Sequence, residues 1–171
     1  MFEHLKKKHK KILVSGPQRS GTRICAKMVS FDTGLSYFDE IARYHAYGMP
    51  DCENTQQLLD TEEEFVLHCP TASRWLHELK GEFFVIFMIR NLEDIKSSQE
   101  RIHWDDTREL EKYETGGTIA QIKYDFWENT QKPIIENHLE VAYQSLAEHP
   151  LWLPKHKRGH FNWNQTEDHL F

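Results

Sequence analysis

Two glycines frame the segment Ser15-Gly16-Pro17-Gln18-Arg19-Ser20-Gly21-Thr22. A tight loop of this kind turns backbone N–H groups inward. A helix starting at Thr22 adds its own unpaired N–H groups and partial positive charge, which together make an anion cradle. The spacing Gly16-x-x-x-x-Gly21 is that of a phosphate-binding loop. Thr22 stands where a nucleoside-triphosphate loop carries lysine, and the cation comes earlier, at Arg19. A second anion grip is legible at Arg90, with the Ser98 hydroxyl eight residues on. An arginine offers a forked donor suited to phosphate, and a serine at a helix start adds a neutral hydrogen bond from another side. Two residues are able to act as a general base, Glu40 and His68.

These residues need elements to hold them. Ile12-Leu13-Val14 reads as a buried strand, followed by the loop and a helix from Thr22. Leu35 to Phe38 reads as a second strand and Phe65 to Cys69 as a third. Phe83 to Ile89 is the most continuous apolar run and predicts a central strand buried on both faces. Leu139 to Tyr143 reads as the last strand. Helices are expected near Gln56 to Leu59, from Thr71 to about Lys80, from about Glu93 to His103, and from Ile119 to about Asn137 with Pro133 as a kink or break. Strands alternating with helices predict an α/β fold with a central, mainly parallel sheet flanked by helices. Ligands then sit at the carboxyl ends of the strands. The loop, Glu40, His68, Arg90 and Tyr143 all stand there.

Pro17-Gln18-Arg19-Ser20-Gly21-Thr22 resembles the 5′-phosphosulfate loop of sulfotransferases, P-x-[KR]-[SGT]-G-T, which use 3′-phosphoadenosine 5′-phosphosulfate (PAPS) and release adenosine 3′,5′-bisphosphate (PAP). Arg90, Asn91, Asp94 and Ser98 match in register the family's 3′-phosphate motif R-N-P-x-D-x-x-x-S, with Leu92 in place of proline. The two motifs occur in the family's order, and the resemblance runs from Ile12 to Tyr143. It implies a three-layer P-loop-type fold, a donor site of Gly16, Pro17, Gln18, Arg19, Ser20, Gly21, Thr22, Arg23, Arg90 and Ser98, and in-line transfer of a sulfuryl group with Arg19 stabilising charge. Leu139 to Leu146 resembles the family's Y-E-D-L segment, which would bring Tyr143 near the nucleotide. Lys157-Arg158-Gly159 resembles, shortened and permuted, an R-K-G element that reaches the 3′-phosphate. The tryptophan that often follows the loop and stacks on adenine in that family is absent; Arg23 and Ile24 occupy its place. Asp39-Glu40-Ile41-Ala42-Arg43-Tyr44 is similar to a heparan-type segment whose Glu is the base. His68-Cys69-Pro70 is similar to a segment of small-molecule enzymes whose His is the base, although Val66 stands at their helper lysine. Both stay open, with a slight lean to Glu40.

The chain has 171 residues, enough for one domain with a real core, and a net charge of −6. That charge argues against general nucleic-acid binding and requires a local positive site for an anion. Three cysteines without a C-x-x-C pair read as reduced thiols in a cytoplasmic setting. No run is long enough to span a membrane. The expected organisation is a single domain over 1–171, with a solvated basic leader at 1–10 and an irregular tail at 150–171. The expected acceptor is a small molecule or carbohydrate, held by loops at 41–61 and 99–118; no metal and no nucleic-acid partner are expected. A P-loop kinase, with Asp39 as its Mg²⁺ residue, and a non-catalytic PAP- or nucleotide-binding module are the rival readings.

Overall fold

The computed structural model of the protein describes residues 1–40, 51–103 and 118–153. Its longest strand is β4, Phe84–Ile89, an inner strand of a sheet with side chains buried on both faces. Around it stand β1 (Lys11–Ser15), β2 (Ser36–Asp39), β3 (Phe65–His68) and β5 (His138–Ala142). The order is β2-β3-β1-β4-β5, and every pairing is parallel. The chain therefore leaves β1 toward β2 at one edge, returns to β3 beside β1, and crosses to β4 on the other side. Such a reversal opens a crevice at the carboxyl ends of the central strands, where Gly16, His68 and Arg90 follow β1, β3 and β4.

Period-two alternation divides the strands between two cores. Ile12, Val14, Val66, Ile86 and Met88 face α1 (Thr22–Thr33), together with Cys25, Met28 and Val29. Leu13, Phe65, Leu67, Val85 and Phe87 face the opposite layer, with Leu58, Trp75, Leu76 and Trp127. That layer holds α2 (Cys52–Leu59) and α4 (Ile119–Phe126). A further helix, α3 (Leu92–Glu100), follows Arg90 and is capped by Asn91, whose side chain accepts from the Glu93 N–H.

The expected parallel α/β sheet is present, with strand limits shifted by a residue. Three expectations change. The helix expected from Thr71 to Lys80 is two short 3₁₀ segments, Pro70–Arg74 and Leu76–Glu78, broken where Trp75 takes a φ of −135°. The Trp75 ring is buried, and its indole N–H reaches Thr55 Oγ1 at 3.3 Å, a placement that takes precedence over a regular helix. The helix expected from Ile119 to Asn137 ends at Phe126 and widens into a π turn, Trp127–Gln131. The turn seats Trp127 flat on Phe87, with ring centroids 4.2 Å apart and planes within 4°. The leader is not merely solvated: Phe2 and Leu5 are in the α1-side core, while Lys6, Lys7, Lys8 and Lys10 stay exposed. Among the described residues, no helix is long and apolar enough to cross a membrane.

Candidate functional site

The loop between β1 and α1 is built around two glycines with positive φ, Gly16 at 137° and Gly21 at 98°. A Cβ at Gly16 would meet the β4 backbone at Met88, 3.0 Å from its carbonyl oxygen. A Cβ at Gly21 would sit 2.5 Å from the Tyr143 ring. Both positions therefore need glycine for space as well as for conformation. Arg19 also has a positive φ, 71°, which is uncommon for a residue with a Cβ and turns the loop sharply at its cation. The first turn of α1 has no side-chain cap on its N–H groups.

The two arginine-bearing segments meet. Arg19 Nε donates to Ser98 Oγ at 3.1 Å, and Arg90 Nη1 donates to the Arg19 carbonyl at 2.7 Å. The Arg90 guanidinium lies 4.1 Å from the centroid of the Tyr143 ring. Tyr124 on α4 clamps the Arg90 backbone: its hydroxyl accepts from the Arg90 N–H at 2.7 Å and donates to the Arg90 carbonyl at 2.9 Å. Burial lowers the Arg19 pKa, and the charges of Arg101, Arg90 and Arg23 lower it further. Arginine stays protonated nonetheless, so positive charge is concentrated at one end of the sheet in a chain of net charge −6.

His68, at the end of β3, sits between the loop and β2. Its Nε2 is 3.0 Å from Thr22 Oγ1, and its Nδ1 is 3.1 Å from Asp39 Oδ2. The pairing of Asp39 with His68 in the β2–β3 register places the carboxylate there. Asp39 also takes a hydrogen bond from the Tyr37 hydroxyl at 2.8 Å and lies 3.1 Å from Arg23 Nη2. Burial alone would push the Asp39 carboxyl up. The hydrogen bond and charge of His68, the charge of Arg23 and the Tyr37 hydroxyl outweigh it and hold the group well below the usual carboxylate range. A carboxylate only accepts, so His68 Nδ1 is the nitrogen that donates to Asp39, and Nε2 is the one that faces the Thr22 hydroxyl.

Of the expected donor-site residues, Arg19 is thus joined to Ser98 and Arg90, and Gly21 abuts the Tyr143 ring. Glu40, the residue after Asp39, accepts from the Thr71 N–H at 3.2 Å. Lys157 and Arg158 lie outside the described residues, as do Tyr44, Tyr47, Trp104 and Arg108 of the expected acceptor loops.

Three participants escaped the sequence reading. The sequence offers Asp39 only as a metal residue of the kinase reading; its place beside His68 depends on strand register. Tyr124 reaches Arg90 across 34 positions of chain. Lys123, only 1% exposed, sends its ammonium to Gln18 Oε1 at 2.5 Å. A signal for Lys123 existed: it falls four residues after buried Ile119 and three after buried Ala120, on the inward face of α4.

The cradle fits an oxyanion. Ser20 Oγ and Arg90 Nε are both buried without a hydrogen-bond partner among the described residues. Such orphaned polar atoms are costly unless a ligand satisfies them. Both are donors beside the loop, and two anionic groups would find donors on the loop side and on the Arg90 side.

No family model matches the chain, and no curated protein does. Solved structures similar to it include a sugar kinase from Janibacter sp. HTCC2649 in its unliganded form, at 16% identity and a TM-score of 0.42, covering 80% of this chain and 86% of that one. An uncharacterized protein from Eubacterium ventriosum ATCC 27560 is similar at 12% identity and a TM-score of 0.43, covering 77% of this chain and 88% of that one. Likeness at this level assigns no activity to the chain.

Proposed function

We propose that the protein is a sulfotransferase that moves a sulfuryl group from PAPS to a hydroxyl or amine of a small or carbohydrate acceptor. The observation that carries this reading is the junction of the two arginine segments, in which Arg19 of the loop bonds Ser98 and is bonded by Arg90. The loop and the β4–α3 turn thereby form one site with donors for two anionic groups, as a nucleotide bearing 3′- and 5′-anions requires. Ser20, Gly21, Thr22 and the start of α1 would hold the 5′ side; Arg90 and Ser98 would hold the 3′-phosphate. Tyr143, between Gly21 and Arg90, would border the nucleotide. PAPS, when bound, supplies the activated sulfuryl group.

The chain's own residues supply charge and proton handling. Arg19 stabilises negative charge developing on the leaving side. The base is His68, acting at Nε2, with Asp39 fixing the ring and stabilising the imidazolium that forms. Thr22, hydrogen-bonded to that nitrogen, keeps it directed at the loop. The sequence alone leans toward Glu40; the contacts of His68 with Thr22 of the loop and with Asp39 favour His68.

Calorimetric titration with PAP, ATP and AMP, each with and without Mg²⁺, tests the reading. Tight PAP binding, indifferent to Mg²⁺ and stronger than AMP binding, is the expected result. Preference for ATP with Mg²⁺ would make the protein a kinase. PAP binding without transfer to any acceptor would make it a binding module.

A further inference from the structure

A lysine ammonium is rarely buried without a purpose that repays its desolvation. Lys123 is 1% exposed, and its Nζ touches two parts of the site at once: Gln18 Oε1 of the loop at 2.5 Å and the Pro70 carbonyl, just beyond His68, at 3.5 Å. The first contact settles a question that an amide usually leaves open. An ammonium can only donate, so the Gln18 atom facing it must be the oxygen. The Gln18 amide nitrogen then points away from Lys123, and no described group accepts from it. Gln18 lies between Gly16 and Gly21, in the bend ended by the positive φ of Arg19.

We propose that Lys123 is a positioning residue that grips the Gln18 carbonyl oxygen and so presents the Gln18 amide N–H₂, polarised by the ammonium, to the anion seated in the loop. The ligand class is a phosphate or phosphosulfate group on the 5′ side of a nucleotide, and this inference rests on the donor-site reading above. The charge stays beneath the loop, and the loop gains a neutral but strengthened donor beside Ser20 and Arg19. The contact also ties α4 to the loop, so the helix that clamps Arg90 through Tyr124 sets the 5′ side through Lys123.

The test compares PAP with adenosine 3′-monophosphate, which keeps the 3′ anion and lacks the 5′ one. Affinities are measured by calorimetry for wild type, Lys123→Met and Gln18→Glu, with thermal unfolding of each. Gln18→Glu keeps an acceptor for Lys123, so the fold is held, but it removes the N–H₂ donor and adds a negative charge. Wild type should bind PAP more tightly than the 3′-monophosphate. Both variants should lose at least tenfold in PAP affinity while the 3′-monophosphate stays within twofold of wild type. Gln18→Glu binding PAP as wild type does would overturn the proposal. So would equal losses for both ligands in Lys123→Met, which would mark a purely structural lysine. Both of those outcomes leave the donor-site reading standing, whereas a wild type that binds neither ligand overturns that reading together with the proposal.

Discussion

At the scale of single residues, the proposed function divides the site between groups that would bind the donor and groups that would act in the transfer. Arg90 spends one nitrogen on the Arg19 carbonyl and keeps Nε buried and unpaired. Charged hydrogen bonds contribute about 1.5–3 kcal/mol each, so Arg90→Ala should weaken PAP binding by roughly 100-fold. Calorimetry gives the affinity, and far-UV dichroism checks that the sheet is intact. Unchanged affinity would remove Arg90 from the 3′ site. Arg19 is different, because its proposed work lies in the transfer itself. Arg19→Ala should lower turnover by roughly 100-fold or more, as loss of a charge-stabilising donor does elsewhere. PAP affinity should fall less. Steady-state kinetics beside PAP titration separates the two effects, and normal turnover would exclude Arg19 from the mechanism.

At the scale of elements, the site depends on how α4 and the loop meet the end of β4. The Tyr124 hydroxyl makes both a donor and an acceptor bond to the Arg90 backbone. Tyr124→Phe leaves that N–H and carbonyl without their partner, which should cost about 1–3 kcal/mol in urea unfolding and weaken PAP binding with it. An unaltered midpoint would show that water replaces the hydroxyl without loss. Which of these arrangements could be read in the chain is itself instructive. The strands were legible because Ile12-Leu13-Val14 and Phe83 to Ile89 are short apolar runs bounded by turn residues, and these become neighbouring inner strands of the sheet. The loop was legible because its glycines serve local backbone geometry. The segment after Pro70 was not, since its helical spacing of Ala72, Trp75, Leu76 and Leu79 gives way to the placement of the Trp75 ring. The pairing of His68 with Asp39 was hidden as well, because it follows from strand register between positions 29 apart.

At the scale of the whole molecule, buried carboxylates tie distant segments together, and acid should undo them. Asp32 on α1 accepts from the Phe2 N–H at 2.6 Å and from His149 Nε2 at 3.1 Å, joining the start of the chain to the segment after β5. Burial raises the Asp32 pKa; the Phe2 N–H, the terminal ammonium and His149 outweigh it, and the net shift is downward. Asp39 is shifted the same way beside the site. A carboxyl held below its ordinary value binds fewer protons when folded than when unfolded. Its contribution is complete above the unfolded-chain pKa of about 4 and is lost as pH falls through the native value. The fold should therefore weaken progressively below about pH 4 in urea titrations. Asp32→Asn should be about 1–2 kcal/mol less stable than wild type at neutral pH, since its bonds to Phe2 and His149 lose their charge. It should also lose less stability than wild type between neutral pH and about pH 3, because one of the linked protons is gone. A variant that matches the wild-type acid limb would show that Asp32 titrates alike in the folded and unfolded chains. The acid sensitivity would then lie with Asp39 and the site, where PAP, by adding negative charge next to Arg23 and Arg90, would change the same limb.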